Sequence, residues 1–254
     1  MTPSPILRVL STIRTNGVRS LLMGGQACVL YGGAEFSRDT DIVVLADAEN
    51  LRRLQAAIEE LEAEPIAVPP FEQRFLEAGH AVHFRCQDAE SKGMRLDVMA
   101  KIRGLPDFDV IWDRRTTIET DQLIIDVLSL PDLVTAKKTQ RDKDWPMIAR
   151  LVEAHYARHA AAPEPAMLDF WLREARTPQI LIDVARLAPD HCQALAVSRP
   201  LLTLAADGDE ASLVQSLRVE QDTEREADRR YWAPLKRELE QLRSRRTRPE
   251  TDDR

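Results

Sequence analysis

A chain of 254 residues has room for one large domain or two small ones, each with an ample core. Its formal net charge of −7 excludes a broad nucleic-acid-binding surface, although a local basic groove stays compatible with it. Cys28, Cys86 and Cys192 lie far apart without metal-ligand spacing, no apolar run reaches membrane-spanning length, and no charged-then-apolar leader opens the chain. A soluble cytoplasmic protein with packing thiols is expected.

In chain order, Ile6, Leu7, Val9, Leu10 and Ile13 space a short amphipathic helix over residues 4–15. A brief apolar run (Leu21, Leu22, Met23) then breaks at Gly24-Gly25, continues over 26–31 with helical spacing and ends at Gly32-Gly33. Asp39 and Asp41 follow and run directly into Ile42, Val43, Val44 and Leu45. The pattern is strand, glycine turn, short helix, loop, strand. Residues two apart on a strand share a face, so Asp39 and Asp41 aim their carboxylates at one spot. They repel there unless a cation or a proton sits between them. Mg²⁺ suits such hard oxygen donors, since it takes one or two carboxylates and leaves room for phosphate oxygens. Gly24-Gly25 lets backbone N–H groups approach an anion at a helix start. An acid pair beside a phosphate cradle points to phosphoryl or nucleotidyl transfer.

Farther on, Asp47-Ala48-Glu49-Asn50 reads as a capped start of a helix reaching about Leu61, with Leu51, Leu54, Ile58 and Leu61 inward. After Pro69-Pro70 comes a short helical segment over 71–77. Residues 81–86 and 93–100 form a hairpin whose second arm carries Asp97 among alternating apolar residues. His83, on the first arm, faces either the acid site or solvent. Arg95 shares the face of Asp97, where it contacts either phosphate or an acid. A helix over 105–115 takes Trp112 as a core anchor, and strands follow over 116–120 and 123–127. Ser129-Leu130-Pro131-Asp132 then opens a further helix.

Met23-Gly24-Gly25, a spacer of thirteen residues, Asp39-Thr40-Asp41-Ile42 and a later strand acid at Asp97 together resemble a known signature. It belongs to the nucleotidyltransferase fold shared by DNA polymerase beta, minimal nucleotidyltransferases and abortive-infection toxin-like enzymes. Dehalogenase-like phosphatases and metal-dependent glycosyltransferases also carry Asp-x-Asp, but there the apolar strand precedes the acids, whereas here it follows them. The resemblance covers roughly residues 20–155. It implies an α/β fold, a nucleotidyltransferase-like mixed sheet with flanking helices, followed by an all-helical C-terminal region. It implies Mg²⁺ held by Asp39, Asp41 and Asp97, with Asp97 also helping to deprotonate an acceptor hydroxyl. It implies nucleotide binding at Gly24, Gly25, Gln26 and Ser37. Two positions depart from the pattern: Glu35 stands where many relatives carry arginine, and Gln26 where serine or threonine is common.

The helix launched at Ser129 adds Lys137, Arg141 and Asp144, spaced i, i+4, i+7 on one face. The resemblance implies that Lys137 reaches the triphosphate while Asp144 orients Lys137 or Arg141; taken alone, the run reads as a charge-laced solvated helix. The implied partner is an NTP, the acceptor being RNA, protein or a small molecule, and a toxin role in a two-gene system stays open. The alternative is a catalytically idle module that binds nucleotide or a protein partner. This helix continues to about His159, and Ala160–Pro165 reads as a linker. The expected organisation is a nucleotidyltransferase-like domain over 1–159, a helical domain over 166–243 and a disordered tail over 244–254. The last helix runs over 209–243, with Pro234 as a kink point.

Overall fold

The computed structural model describes residues 4–121 and 123–247. Seven strands form one sheet: β1 (Ser20–Met23), β2 (Asp39–Val44), β3 (Glu64–Pro65), β4 (Val82–Arg85), β5 (Arg95–Met99), β6 (Thr116–Glu119) and β7 (Ile124–Val127). Their order is β3-β4-β5-β2-β1-β7-β6, which puts the acid-bearing strand β2 in the middle. Neighbours pair antiparallel except β2 with β5 and β1 with β7, which run parallel. The sheet is therefore mixed, with helices flanking it and helices following it, as expected. Ile42, Val43 and Val44 explain the central place of β2, because three successive buried β-branched residues require cover on both faces. The two-residue edge strand β3 was not expected, being too short to carry an alternation.

Twelve helices accompany the strands among the described residues. The first five are α1 (Pro5–Thr15), α2 (Gly24–Leu30), α3 (Ala48–Glu60), α4 (Gln73–Ala78) and α5 (Phe108–Asp113). Then come α6 (Leu130–Ala136), α7 (Asp144–His159), α8 (Pro165–Glu174), α9 (Pro178–Leu187), α10 (Pro189–Ala196), α11 (Leu202–Asp207) and α12 (Glu210–Thr247). None is long and apolar enough to cross a membrane.

Contacts divide the chain into two units. The α/β unit takes the segments up to Ala27, Phe36–Ser129 and from Arg230 onward; the helical unit takes Cys28–Glu35 and Leu130–Arg229. The division expected at Ala160–Pro165 thus falls inside the helical unit. The last part of α12 belongs to the α/β unit, where Glu238 Oε2 lies 2.8 Å from Nε2 of the buried His80. Helix α12 also runs on through Thr247, past the expected start of the tail; the rest of that tail, residues 248–254, lies outside the described residues.

Within the α/β unit, Asp47 caps α3 by accepting from the backbone N–H of Asn50 at 2.6 Å. Asn50 does more than open the helix. Its amide donates to the carbonyls of Arg19 and Leu45 and its oxygen accepts from Arg19 N–H, so a buried polar side chain ties α3 to β1 and β2 with its groups satisfied. Trp112 departs from expectation. It is half-buried, stacked on Phe108, with the guanidinium groups of Arg19 and Arg115 at 5.0 and 4.1 Å from its ring centroid. Two cations on one indole hold it at the surface instead of in the core.

The helical unit is knotted by one buried arginine. Arg199 donates to the carbonyls of Leu172 and Ala175 at the end of α8, and to both oxygens of Glu220. Burial alone would raise the Glu220 carboxyl, but Arg199, with Arg176 and Lys138, holds it below the usual range.

The turn from β1 into α2 carries a strict steric requirement. Gly24 has φ +68°, and a Cβ there would lie 1.8 Å from Asp41 Oδ2 and 2.7 Å from Asp41 Cβ. Rotating the Asp41 carboxylate away relieves the first clash but not the second. Gly93 has φ +84° with open space around a would-be Cβ, so it isolates the conformational cost. Gly93→Ala is expected to cost about 1–2 kcal/mol from backbone strain alone. Gly24→Ala is expected to cost about 1–3 kcal/mol more, because Asp41 must be displaced. Urea unfolding of the two variants checks this; equal losses would show that Asp41 does not press on the turn.

Candidate active site

The parallel register of β2 against β5 sets Asp39 opposite Arg95 and Asp41 opposite Asp97. Residues opposite one another across a ladder share a face, so the two sequence-distant acids meet side by side. On the outer flank β4 adds His83, in register with Asp97, and on the inner flank β1 adds Met23, in register with Asp41. Gly24 follows Met23 directly, which brings the glycine turn to the same end of β2 as its acids. The other face of these strands carries Leu22, Ile42, Leu96 and Val98, all buried. A cavity of about 280 Å³ on that face, lined in part by Leu10, Ile13, Leu22 and Ile42, lies away from the acids.

Asp97 is the most constrained of the three carboxylates. Its Oδ1 accepts from Arg95 Nε at 2.7 Å and lies 2.8 Å from His83 Nδ1. Burial alone would raise its pKa, but the hydrogen bonds from His83 and Arg95 outweigh burial and hold the carboxyl below the usual range. Donating to Asp97 in turn raises the Arg95 guanidinium above its ordinary value, with Asp39 and Asp41 adding to the field it sits in. Arg95 is thus a cation among the acids, and of the two contacts expected for it the one with an acid is present. The Asp97 carboxylate is oriented within the site by Arg95 and His83.

Asp41 and Ser37 occupy the space beside the two glycines. A Cβ on Gly25 would fall 2.3 Å from Ser37 Oγ, as one on Gly24 would fall on Asp41. The absence of side chains at 24 and 25 lets the acid strand and its approach loop lie directly on the turn. Gln26 is buried, and its Nε2 donates to the carbonyl of Ser37 at 2.7 Å. It fixes the loop that carries Ser37 into β2. Ser37 and Asp39 are both half-buried.

The second group of expected site residues lies in the helical unit, and its geometry differs from the single helix face foreseen. Helix α6 ends at Ala136 and α7 begins at Asp144, so Lys137 and Arg141 stand on the intervening loop. Thr139 and Asp144 break the helix. Thr139 Oγ1 donates to Asp144 Oδ2 at 2.6 Å, Trp145 Nε1 donates to the Thr139 carbonyl, and Pro146 follows in the first turn of α7. The three residues still converge. Asp144 Oδ1 lies 3.5 Å from Lys137 Nζ, and Asp144 Oδ2 accepts from Arg141 Nε at 2.7 Å. Lys137 and Asp144 are buried, whereas the Arg141 side chain is 55% exposed, so Arg141 is the cation open to a ligand.

Fit to a divalent metal follows from the donors. Among the described residues, no three His, Cys, Asp or Glu side chains are grouped to hold a metal ion by themselves. Carboxylates are nonetheless donors of the kind Mg²⁺ takes, one or two at a time, with phosphate and water completing its shell. Among the described residues the Asp39 carboxylate and Oδ2 of Asp97 accept no hydrogen bond, so both retain lone pairs for such an ion.

The lowered Asp97 carboxyl carries a pH signature. Its ion pairing stabilises the fold fully above the ordinary aspartate value of about 3.9, and the contribution fades as pH falls below that value through the lowered folded one. In chemical unfolding, Asp97→Asn is expected to be less stable than the parent chain near neutral pH, with the gap closing as pH falls below about 3.9. A pH-independent gap would remove the ionic account of this contact.

No family model matches this chain, and no curated protein matches it either. Among solved structures it is similar to an antigenic nucleotidyltransferase-like protein from Paracoccidioides brasiliensis, at 16% identity, over 80% of this chain and 89% of that one, with a TM-score of 0.40. A likeness of that size carries no inference about activity.

Proposed function

We propose that the β2–β5 face is the active site of a metal-dependent nucleotidyltransferase that moves a nucleoside monophosphate from an NTP to an acceptor hydroxyl. The observation that carries this reading is the register that sets Asp41 beside Asp97, with Asp39 on the same face and the Gly24-Gly25 turn pressed against Asp41. Asp39 and the neighbouring pair Asp41 and Asp97, with Arg95 among them, make this face anionic and suited to a hard cation and a polyphosphate.

In this reading Asp39, Asp41 and Oδ2 of Asp97 hold Mg²⁺. When bound, the ion supplies Lewis-acid polarisation of the α-phosphate and neutralises charge on the leaving pyrophosphate. The chain's own residues do the positioning. Gly24 and Gly25 keep the turn free of side chains, Gln26 and Ser37 fix the loop entering β2, and Arg95 balances the acids without neutralising them. The acceptor oxygen bonds to the α-phosphorus, the bond to the pyrophosphate oxygen breaks, and the hydroxyl proton passes to solvent.

One observation favours a second reading. Arg95 pairs with Asp97 and sits in the field of Asp39 and Asp41, and compensation by the chain's own cation suits a module that binds nucleotide but does not turn it over. Incubating the protein with labelled NTPs and total cell extract separates the two. Transfer of label to an acceptor, abolished by Asp39→Asn with Asp41→Asn, is the expected result. Mg²⁺-dependent NTP binding by calorimetry with no labelled product supports the idle module, and label transfer unchanged in the double variant contradicts the site assignment.

A further inference from the structure

His83 has no place in the chemistry described so far, yet it is the histidine brought to the acids by strand register. Among the other histidines, His80 is buried against Glu238, His155 accepts from Trp171 Nε1 within an aromatic cluster, His159 packs tilted against His155, and His191 pairs with Asp169. His80, His155 and His191 each join a helix to another segment of the framework, and His159 packs within α7. His83 instead faces Asp97 across the β4–β5 ladder, its side chain 26% exposed.

Two contacts compete for His83 Nδ1. Toward Asp97 Oδ1 at 2.8 Å it donates and carries the proton, whereas toward the donor-only Arg95 Nη2 at 3.1 Å it accepts and does not. The shorter contact favours the proton on Nδ1. Arg95 Nε donates to the same Oδ1. Two donors therefore crowd one oxygen of Asp97 while the other accepts none among the described residues. A carboxylate on a short side chain has one free torsion of consequence. Pinning Oδ1 from two sides sets the direction of Oδ2.

We propose that His83 is a positioning residue: by donating from Nδ1 to Oδ1 of Asp97 it works with Arg95 to fill one carboxylate oxygen and present Oδ2 as the ligand oxygen. This rests on the metal-dependent reading of the β2–β5 face. Donors behind a ligating carboxylate orient it, and their loss typically weakens metal binding by about 10–100-fold. Arg95 is the poorer probe, because removing its charge also makes the face more anionic and pulls metal affinity the other way. His83 isolates orientation from charge.

The test uses the full chain and Mn²⁺ as the probe, with free Mn²⁺ followed by electron paramagnetic resonance at saturating non-hydrolysable ATP analogue. His83→Ala is expected to weaken Mn²⁺ binding about 10-fold or more. His83→Asn places an amide N–H near the position of Nδ1 and is expected to restore affinity to within about 3-fold of the parent. Circular dichroism confirms that each variant is folded. In parallel, ¹⁵N resonances of the His83 ring are expected to show the proton on Nδ1 in the parent chain without metal. Unchanged affinity in His83→Ala, equal loss in both variants, or a proton on Nε2 overturns the proposal while leaving the metal site standing. Mn²⁺ affinity that is absent in the parent, or undiminished by Asp39→Asn with Asp41→Asn, removes the metal reading and this proposal with it.

Discussion

The structure turns on a ladder position that ought to be unfavourable. Like charges directly opposite one another across two strands destabilise a sheet, yet the central pair β2–β5 sets Asp41 against Asp97 with Asp39 one step along. Buried apolar residues on the reverse face fix that register, because slipping by one residue would turn Ile42, Leu96 and Val98 out and the acids in. The core thus forces the carboxylates together, and Arg95 and His83 are the local answer to the repulsion. A protein with no use for that concentration of negative charge gains nothing by placing it on its middle strand.

The glycine turn is the complementary constraint. Asp41 and Ser37 fill the space that side chains at 24 and 25 would take, so strand β2 and the start of α2 are held at backbone contact distance. Gln26 secures the same loop from the other side. The motif that reads in sequence as a phosphate cradle is therefore also a packing joint. Both roles need the same residue type, which is why the glycines alone do not distinguish them.

Much of this was legible in the residues. Period-two alternation around Asp97 and the apolar run after Asp41 revealed the acid-bearing strands, and the Asp47 cap and the 81–100 hairpin followed from local chemistry. What local chemistry does not contain is long-range pairing. Nothing near Asp41 says that β5 lies parallel to β2 in the register that makes Asp97 its neighbour. The same limit applies to α12, whose last part packs in the α/β unit through His80 and Tyr231, a partnership invisible from its charge-rich sequence. Spacing misled at Lys137, Arg141 and Asp144, where the loop held by the Thr139–Asp144 side-chain hydrogen bond interrupts helical continuity but preserves the contacts. Trp112 misled because two arginines offered it a better surface site than the core. Asn50 was half-read: its helix-start role was visible, its bridge between β1 and β2 was not.

The central claim is that carboxylates from β2 and β5 share one divalent ion with a nucleoside triphosphate. Anomalous diffraction from crystals grown with Mn²⁺ and a non-hydrolysable NTP analogue examines it without reference to turnover. The account predicts a manganese peak bounded by Asp39, Asp41 and Oδ2 of Asp97, with phosphate oxygens completing the shell. A peak elsewhere on the chain, or ordered nucleotide with no metal on that face, would contradict it.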